Sequence, residues 1–201
     1  GEVRFYSAFA VSPATVTETN DGNNFSNMTF TGATINGWRS ADGATPGSRK
    51  TITNNTFNNI TNNTSGAINS ILHVGFSDSG FANNNVSGNV ISNITGAAGV
   101  VGFLSDGQNQ NFFNNRINGL SSTGAAATVS AISYTGGTTQ NIFQNKIYDI
   151  SGSDAGALVN GINFLTGTTF NVYNNLIGNL SAPAATGLNA INGLNAGATA
   201  T

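Results

Sequence analysis

The chain contains no cysteine. That excludes a disulfide frame and any thiolate metal site. Charge is almost as scarce, with six Lys and Arg against eight Asp and Glu in 201 residues and a net charge of −2. Binding to a phosphate backbone takes its affinity from clustered cations that release counterions. No such cluster exists here, so nucleic acid is excluded as a partner. One histidine, His73, is too few for a histidine metal cluster. No apolar run approaches the roughly 20 residues of a membrane-spanning helix, and no signal peptide is visible. What is present can build a core: hydrophobic residues make up 38% of the chain, with thirteen Phe, unlike the composition of disordered chains.

The stretch QNIFQNKIYDISG (140–152) has near twins in QNFFNNRINGLSS (110–122) and FNVYNNLIGNLSA (170–182). With Asn145 as anchor, the equivalent residues are Asn175, Asn115, Asn89, Asn55 and Asn23, at intervals of 30, 30, 26, 34 and 32. Two residues after each anchor stands an apolar side chain: Phe25, Phe57, Ile91, Ile117, Ile147 and Ile177. Three further on stands another: Met28, Ile60, Ile94, Leu120, Ile150 and Leu180. A second motif alternates with the first: INGW (35–38), INSI (68–71), VVGF (100–103), VSAI (129–132), VNGI (159–162) and LNAI (188–191). Its small residue (Gly37, Ser70, Gly102, Ala131, Gly161, Ala190) marks a tight corner or close packing. Between the motifs lie turn-forming stretches such as SGSDAGA and TGTT.

A period near thirty signals a stacked-repeat architecture. The segments are short, β-branched and aromatic, and bounded by Gly and Asn, which is strand grammar. Hairpins would want Asn-Gly between alternating runs. Here the anchor Asn is followed by other residues and then by more apolar chain, so it marks a bend. The expected fold is all-β: a right-handed parallel β-helix of about six coils of roughly 30 residues, about 30 Å long at ordinary strand spacing. Residues 1–20 read as a less regular coil or cap and 21–201 as the repeats, a piece of a longer rod with any leader removed or upstream. Asn suits such a bend because it tolerates the left-handed backbone region. Its amide can also bond to an identical amide one coil away, so Asn23, Asn55, Asn89, Asn115, Asn145 and Asn175 should form a ladder. Asn85, Asn111, Asn141 and Asn171 suggest a second.

Strict alternation in NIFQNKI, with Lys146 facing solvent, turns Phe143 and Ile147 inward and stacks Phe113, Phe143 and Tyr173 as a column. It also turns Val86, Phe112, Ile142 and Val172 outward, unless the backbone bends there and returns them to the core or something covers the stripe. Trp38 reads as core.

These N-x-I/F-x-x-I/L runs resemble the right-handed parallel β-helix of the pectate-lyase-like superfamily, over about residues 20–195. The Asn/Gly/Thr-rich wording is similar to large surface and adhesin proteins exported by the type-nine secretion pathway. The first resemblance implies a polysaccharide lyase or hydrolase using carboxylates, calcium or a basic residue; the second implies an extracellular or cell-surface location. Asp42, Asp78 and Asp106 follow the second motif in successive units and form a candidate carboxylate corner that would hold calcium. Otherwise they are solvated loop acids, with no metal and no cofactor. Arg116 and Lys146 occupy equivalent positions on adjacent coils and face solvent, an anion or Asp149. Asp149 and Asp154 flank ISGS. His73 is taken to align with Ser105, Tyr134 and Phe164, with no acid or base beside it. The leading expectation is a non-enzymatic structural or adhesive segment whose partner is a surface polysaccharide or another envelope protein. The alternative is a polysaccharide-binding or polysaccharide-degrading domain. A third, a flat surface binder, would want Thr columns in every coil.

Overall fold

A computed structural model describes residues 1–8, 17–40, 49–63, 65–75 and 84–197. Asp42 and Asp78 lie outside the described residues. All regular structure within them is β. Each coil gives one strand to each of three sheets, and every pairing is parallel. Sheet I is built from Thr17–Asp21, Arg49–Thr53, Asn85–Ser87, Asn109–Phe113, Thr139–Phe143 and Thr169–Tyr173. Sheet II follows with Asn24–Phe30, Thr56–Asn62, Val90–Gly96, Arg116–Ser122, Lys146–Gly152 and Leu176–Ser181. Sheet III completes each coil with Thr34–Ser40, Ile68–Val74, Val100–Ser105, Thr128–Thr135, Leu158–Thr166 and Ile191–Ala196. Two short strands, Glu2–Val3 and Tyr6–Ala8, pair with Thr34–Ser40 on its other edge. The fold is a parallel β-solenoid of six coils.

The register stacks like on like. Ile91, Ile117, Ile147 and Ile177 are consecutive partners in sheet II, as are Ile94, Leu120, Ile150 and Leu180. Both columns face the interior, where Ile117, Leu120, Ile147 and Ile150 are fully buried. A spacing of three should place them on opposite faces of a strand. They share a face because one residue between them is left-handed in every coil: Asn27, Asn59, Asn93, Gly119, Asp149 and Asn179, with φ from 49° to 65°. A second left-handed column, Gly22, Asn54, Gly88, Asn114, Gln144 and Asn174, immediately precedes the anchor Asn. An ordinary side chain pays about 1–2 kcal/mol for that conformation. All but Gln144 and Asp149 are Asn or Gly.

This second column is the bend that returns the apolar stripe of sheet I to the core, and it overturns the inward placement expected for Phe113, Phe143 and Tyr173. The left-handed residue resets the side-chain parity between Phe143 and Ile147. Val86, Phe112 and Ile142 are therefore core residues with no exposure. Phe113, Phe143 and Tyr173 do stack, with centroids 4.9 and 5.0 Å apart and planes within 3° of parallel, but on the outer face of sheet I. Tyr173 is 48% exposed. The left-handed residue is the neighbour of the anchor Asn; the anchor itself is not left-handed.

Sheet III also corrects the second motif. One extra residue in Ile68–Val74 shifts the register on both sides, between Ile35 and Asn36 and between Val100 and Phe103, so Trp38 and Phe103 both partner Leu72, not Ile71. The last copy is Ile191–Leu194, since Val159 pairs with Ile191 and Ile162 with Leu194; Leu188 is almost wholly exposed. His73 accordingly aligns with Arg39 and Leu104, one residue from its expected partners. Close packing of coils does hold at Gly161, where a Cβ would lie 2.6 Å from the Gly193 carbonyl oxygen. Trp38 is core, stacked on Tyr6 at 4.0 Å.

Candidate functional site

The anchor asparagines are linked end to end. The Nδ2 groups of Asn23, Asn55, Asn89, Asn115 and Asn145 each donate to the Oδ1 of the next anchor, at 2.9–3.1 Å. The backbone N–H of the same residue donates to the same oxygen, at 2.9–3.0 Å. The remaining Nδ2 hydrogen reaches back to a sheet I carbonyl, Ile52 for Asn89, Val86 for Asn115 and Phe112 for Asn145. Asn55, Asn89, Asn115 and Asn145 are buried. These amides therefore have no hydrogen left to offer a ligand.

The outer face of sheet I carries the second ladder. Asn111 donates to Asn85, Asn141 to Asn111 and Asn171 to Asn141, at 2.8–3.0 Å. The aromatic column runs beside it, two residues along each strand. Its rings lie face to face, so the middle ring, Phe143, has a ring against each of its faces.

The outer face of sheet II is different. A polar groove of about 340 Å³ is lined by Thr56, Asn58, Val90, Ser92, Asn93, Arg116 and Asn118. Asn58 accepts from Ser92 and Asn93, both at 2.9 Å. Asn118 Oδ1 is covered and has no hydrogen-bond partner. Arg116 and Lys146 are direct partners across adjacent strands, and no ion pair joins either to an acid among the described residues. Like charges placed directly opposite repel. Asp149 lies in the left-handed column and accepts a short hydrogen bond from Asn179. Asp154 accepts from the backbone N–H groups of Ala126 at 2.8 Å and Gly156 at 2.9 Å, which hold its carboxyl below the usual range.

Of the expected carboxylate corner, only Asp106 is described. Its partner is His73, with Nε2–Oδ1 at 3.1 Å, so the histidine does have an acid beside it. His73 is 6% exposed, while the Asp106 side chain is 48% exposed. The His73 hydrogen bond, against some opposition from burial, holds the Asp106 carboxyl below its ordinary value. Among the described residues no three His, Cys, Asp or Glu side chains group to hold a metal ion, and no helix is long and apolar enough to cross a membrane.

Sequence reasoning missed a partly buried cluster in the first two coils. Glu18 and Lys50 are register partners in sheet I, and Lys50 Nζ lies 3.1 Å from Glu18 Oε2. Lys50 is 2% exposed. Tyr6 Oη donates to Glu18 Oε1 at 3.0 Å, and Asn20 Nδ2 donates to the same oxygen at 2.7 Å. Burial pushes the Lys50 amine down from its ordinary value, with the carboxylate opposing. The available signal was the register: Glu18 and Lys50 are 32 residues apart, the same interval as Asn23 and Asn55.

No protein family, curated protein or solved structure matches this chain.

Proposed function

We propose that the chain is a non-enzymatic structural or adhesive segment of a secreted or cell-surface protein. One observation carries this reading: the polar side chains that recur in every coil bond from coil to coil in ladders instead of converging on a point where a substrate atom would sit. An enzyme needs acid, base or nucleophile gathered within hydrogen-bond reach of one reacting group; a ladder amide is already saturated. The right-handed, pectate-lyase-like form of the solenoid belongs to this reading, supported by the strong preference of parallel crossovers for that hand. So does export by the type-nine pathway, supported by composition alone. Incubation with a panel of plant, algal and bacterial polysaccharides should release neither new reducing ends nor unsaturated products. Robust cleavage of any of them would overturn the reading.

The groove on sheet II favours a second, compatible reading as a polysaccharide-binding face. Two adjacent cations without an acid, beside amides and hydroxyls, suit a chain that carries carboxylate or sulfate groups. Affinity electrophoresis in gels containing such a polymer should retard the chain, less so with R116Q/K146Q and less at high salt. Equal mobility with and without the polymer would discard this reading and leave the structural one standing.

A further inference from the structure

The Lys50, Glu18 and Asn20 cluster has a chemistry that the ladders lack. It brings a buried amine together with a half-buried carboxyl and a half-buried carboxamide. Asn20 is register partner to Ile52, in a column continued by the buried Val86, Phe112 and Ile142. A polar residue thus stands where later coils place hydrocarbon. Its carboxamide is held by one oxygen of Glu18, at 2.7 Å, while the other oxygen holds Lys50 Nζ at 3.1 Å. Tyr6 fixes the same carboxyl from above and is itself stacked on the buried Trp38. One carboxyl therefore bridges a nucleophile and an electrophile on neighbouring strands, which lie about 4.8 Å apart.

We propose that Lys50 and Asn20 condense into an intramolecular amide, with Glu18 shuttling the protons. The Lys50 ammonium first gives a proton to the Glu18 carboxylate. Burial favours this transfer, because it penalises the charged amine and pushes the carboxyl up. The hydrogen bonds from Asn20, Lys50 and Tyr6 outweigh burial at Glu18 and hold its carboxyl below the ordinary value, which opposes it. The freed Nζ lone pair attacks Asn20 Cγ and forms the new C–N bond. Glu18 returns its proton to Nδ2, the Cγ–Nδ2 bond breaks, and ammonia leaves. The second proton lost by Nζ departs with it as ammonium, and Glu18 ends as a carboxylate. No oxidant, reductant or added reagent is required. The product replaces a charge pair whose lysine is buried, and whose desolvation is costly, by a neutral amide. It also ties the first coil covalently to the second.

Intact mass spectrometry of the full chain, denatured before measurement, tests this directly. The wild-type chain should weigh one ammonia less than its sequence. Its digest should contain a branched peptide joining Asn20 to Lys50, with Lys50 resistant to trypsin. K50R keeps the ion pair but not the nucleophile, and E18Q keeps the size but not the shuttle. Both should have the full sequence mass. A wild-type chain at full sequence mass, with Lys50 cleaved by trypsin and labelled by an amine reagent after denaturation, would overturn the proposal. So would an ammonia loss that persists in E18Q and K50R or maps to another residue.

Discussion

A buried carboxamide is stable only if both hydrogens and its oxygen are used, since an unmade bond there costs about 1–3 kcal/mol. Asn115 meets that condition through Asn89, Asn145 and the Val86 carbonyl. Asn115→Ala leaves the Asn89 donors without an acceptor and should destabilise the chain by about 3 kcal/mol in urea unfolding. Asn115→Asp keeps the acceptor but removes both donors and sets a buried charge against two oxygens, so it should cost at least as much. A loss within experimental error for both would show that the ladder is ornamental. Asp106 supplies a pH test. Its folded pKa lies below the ordinary carboxylate value because His73 bonds its charged form first and foremost. The stability it contributes is therefore complete above the unfolded value of about 4 and is lost as pH falls through the folded one. Unfolding free energy measured from neutral to acid pH should fall more gently in Asp106→Asn than in the wild type.

Between residue and molecule stands the strand and its corner. Each coil needs two left-handed residues, and Gln144 is one of the two positions without Asn or Gly. Gln144→Gly should raise stability by up to about 1 kcal/mol and Gln144→Val should lower it by about 1–2, read from thermal or urea midpoints. The same corner decides which side of sheet I is core. Ile142→Ala should cost about 2–5 kcal/mol, as a cavity in a packed interior does. Phe143→Ala should cost only about 0.5–1.5, the worth of an exposed stacked ring. Equal losses would restore the simple alternation. The period, the strand type and the anchor column were legible in the sequence, because they repeat and every coil restates them. Parity was legible only as an alternative, a bend that would return Val86, Phe112 and Ile142 to the core, because the left-handed residue that resets it is written as Asn, Gly or Gln and sits beside an Asn with another task. The extra residue in Ile68–Val74 hid the true partner of Trp38 for a similar reason: one more residue in one strand leaves no mark in composition. The Lys50 and Glu18 cluster occurs once, so no repeat announced it.

For the molecule as a whole, stability is spread along the stack, each coil touching only its neighbours. The apolar columns supply the bulk of the favourable energy and the ladders fix the register, since a slip of one residue would break every amide bond in a column and turn every strand. That division explains how a chain with so little charge and no cysteine holds one arrangement. It also explains why the candidate site is sparse: most polar groups inside the coils are already engaged. The central claim is that coils lie in register through the anchor asparagines. Scalar couplings across hydrogen bonds, measured by NMR on the labelled chain, test it most directly. Couplings are expected from the backbone nitrogens of Asn115 and Asn145 to the carboxamide carbons of Asn145 and Asn175, each 30 residues further along. Fast solvent exchange of those amides with no such coupling would contradict it.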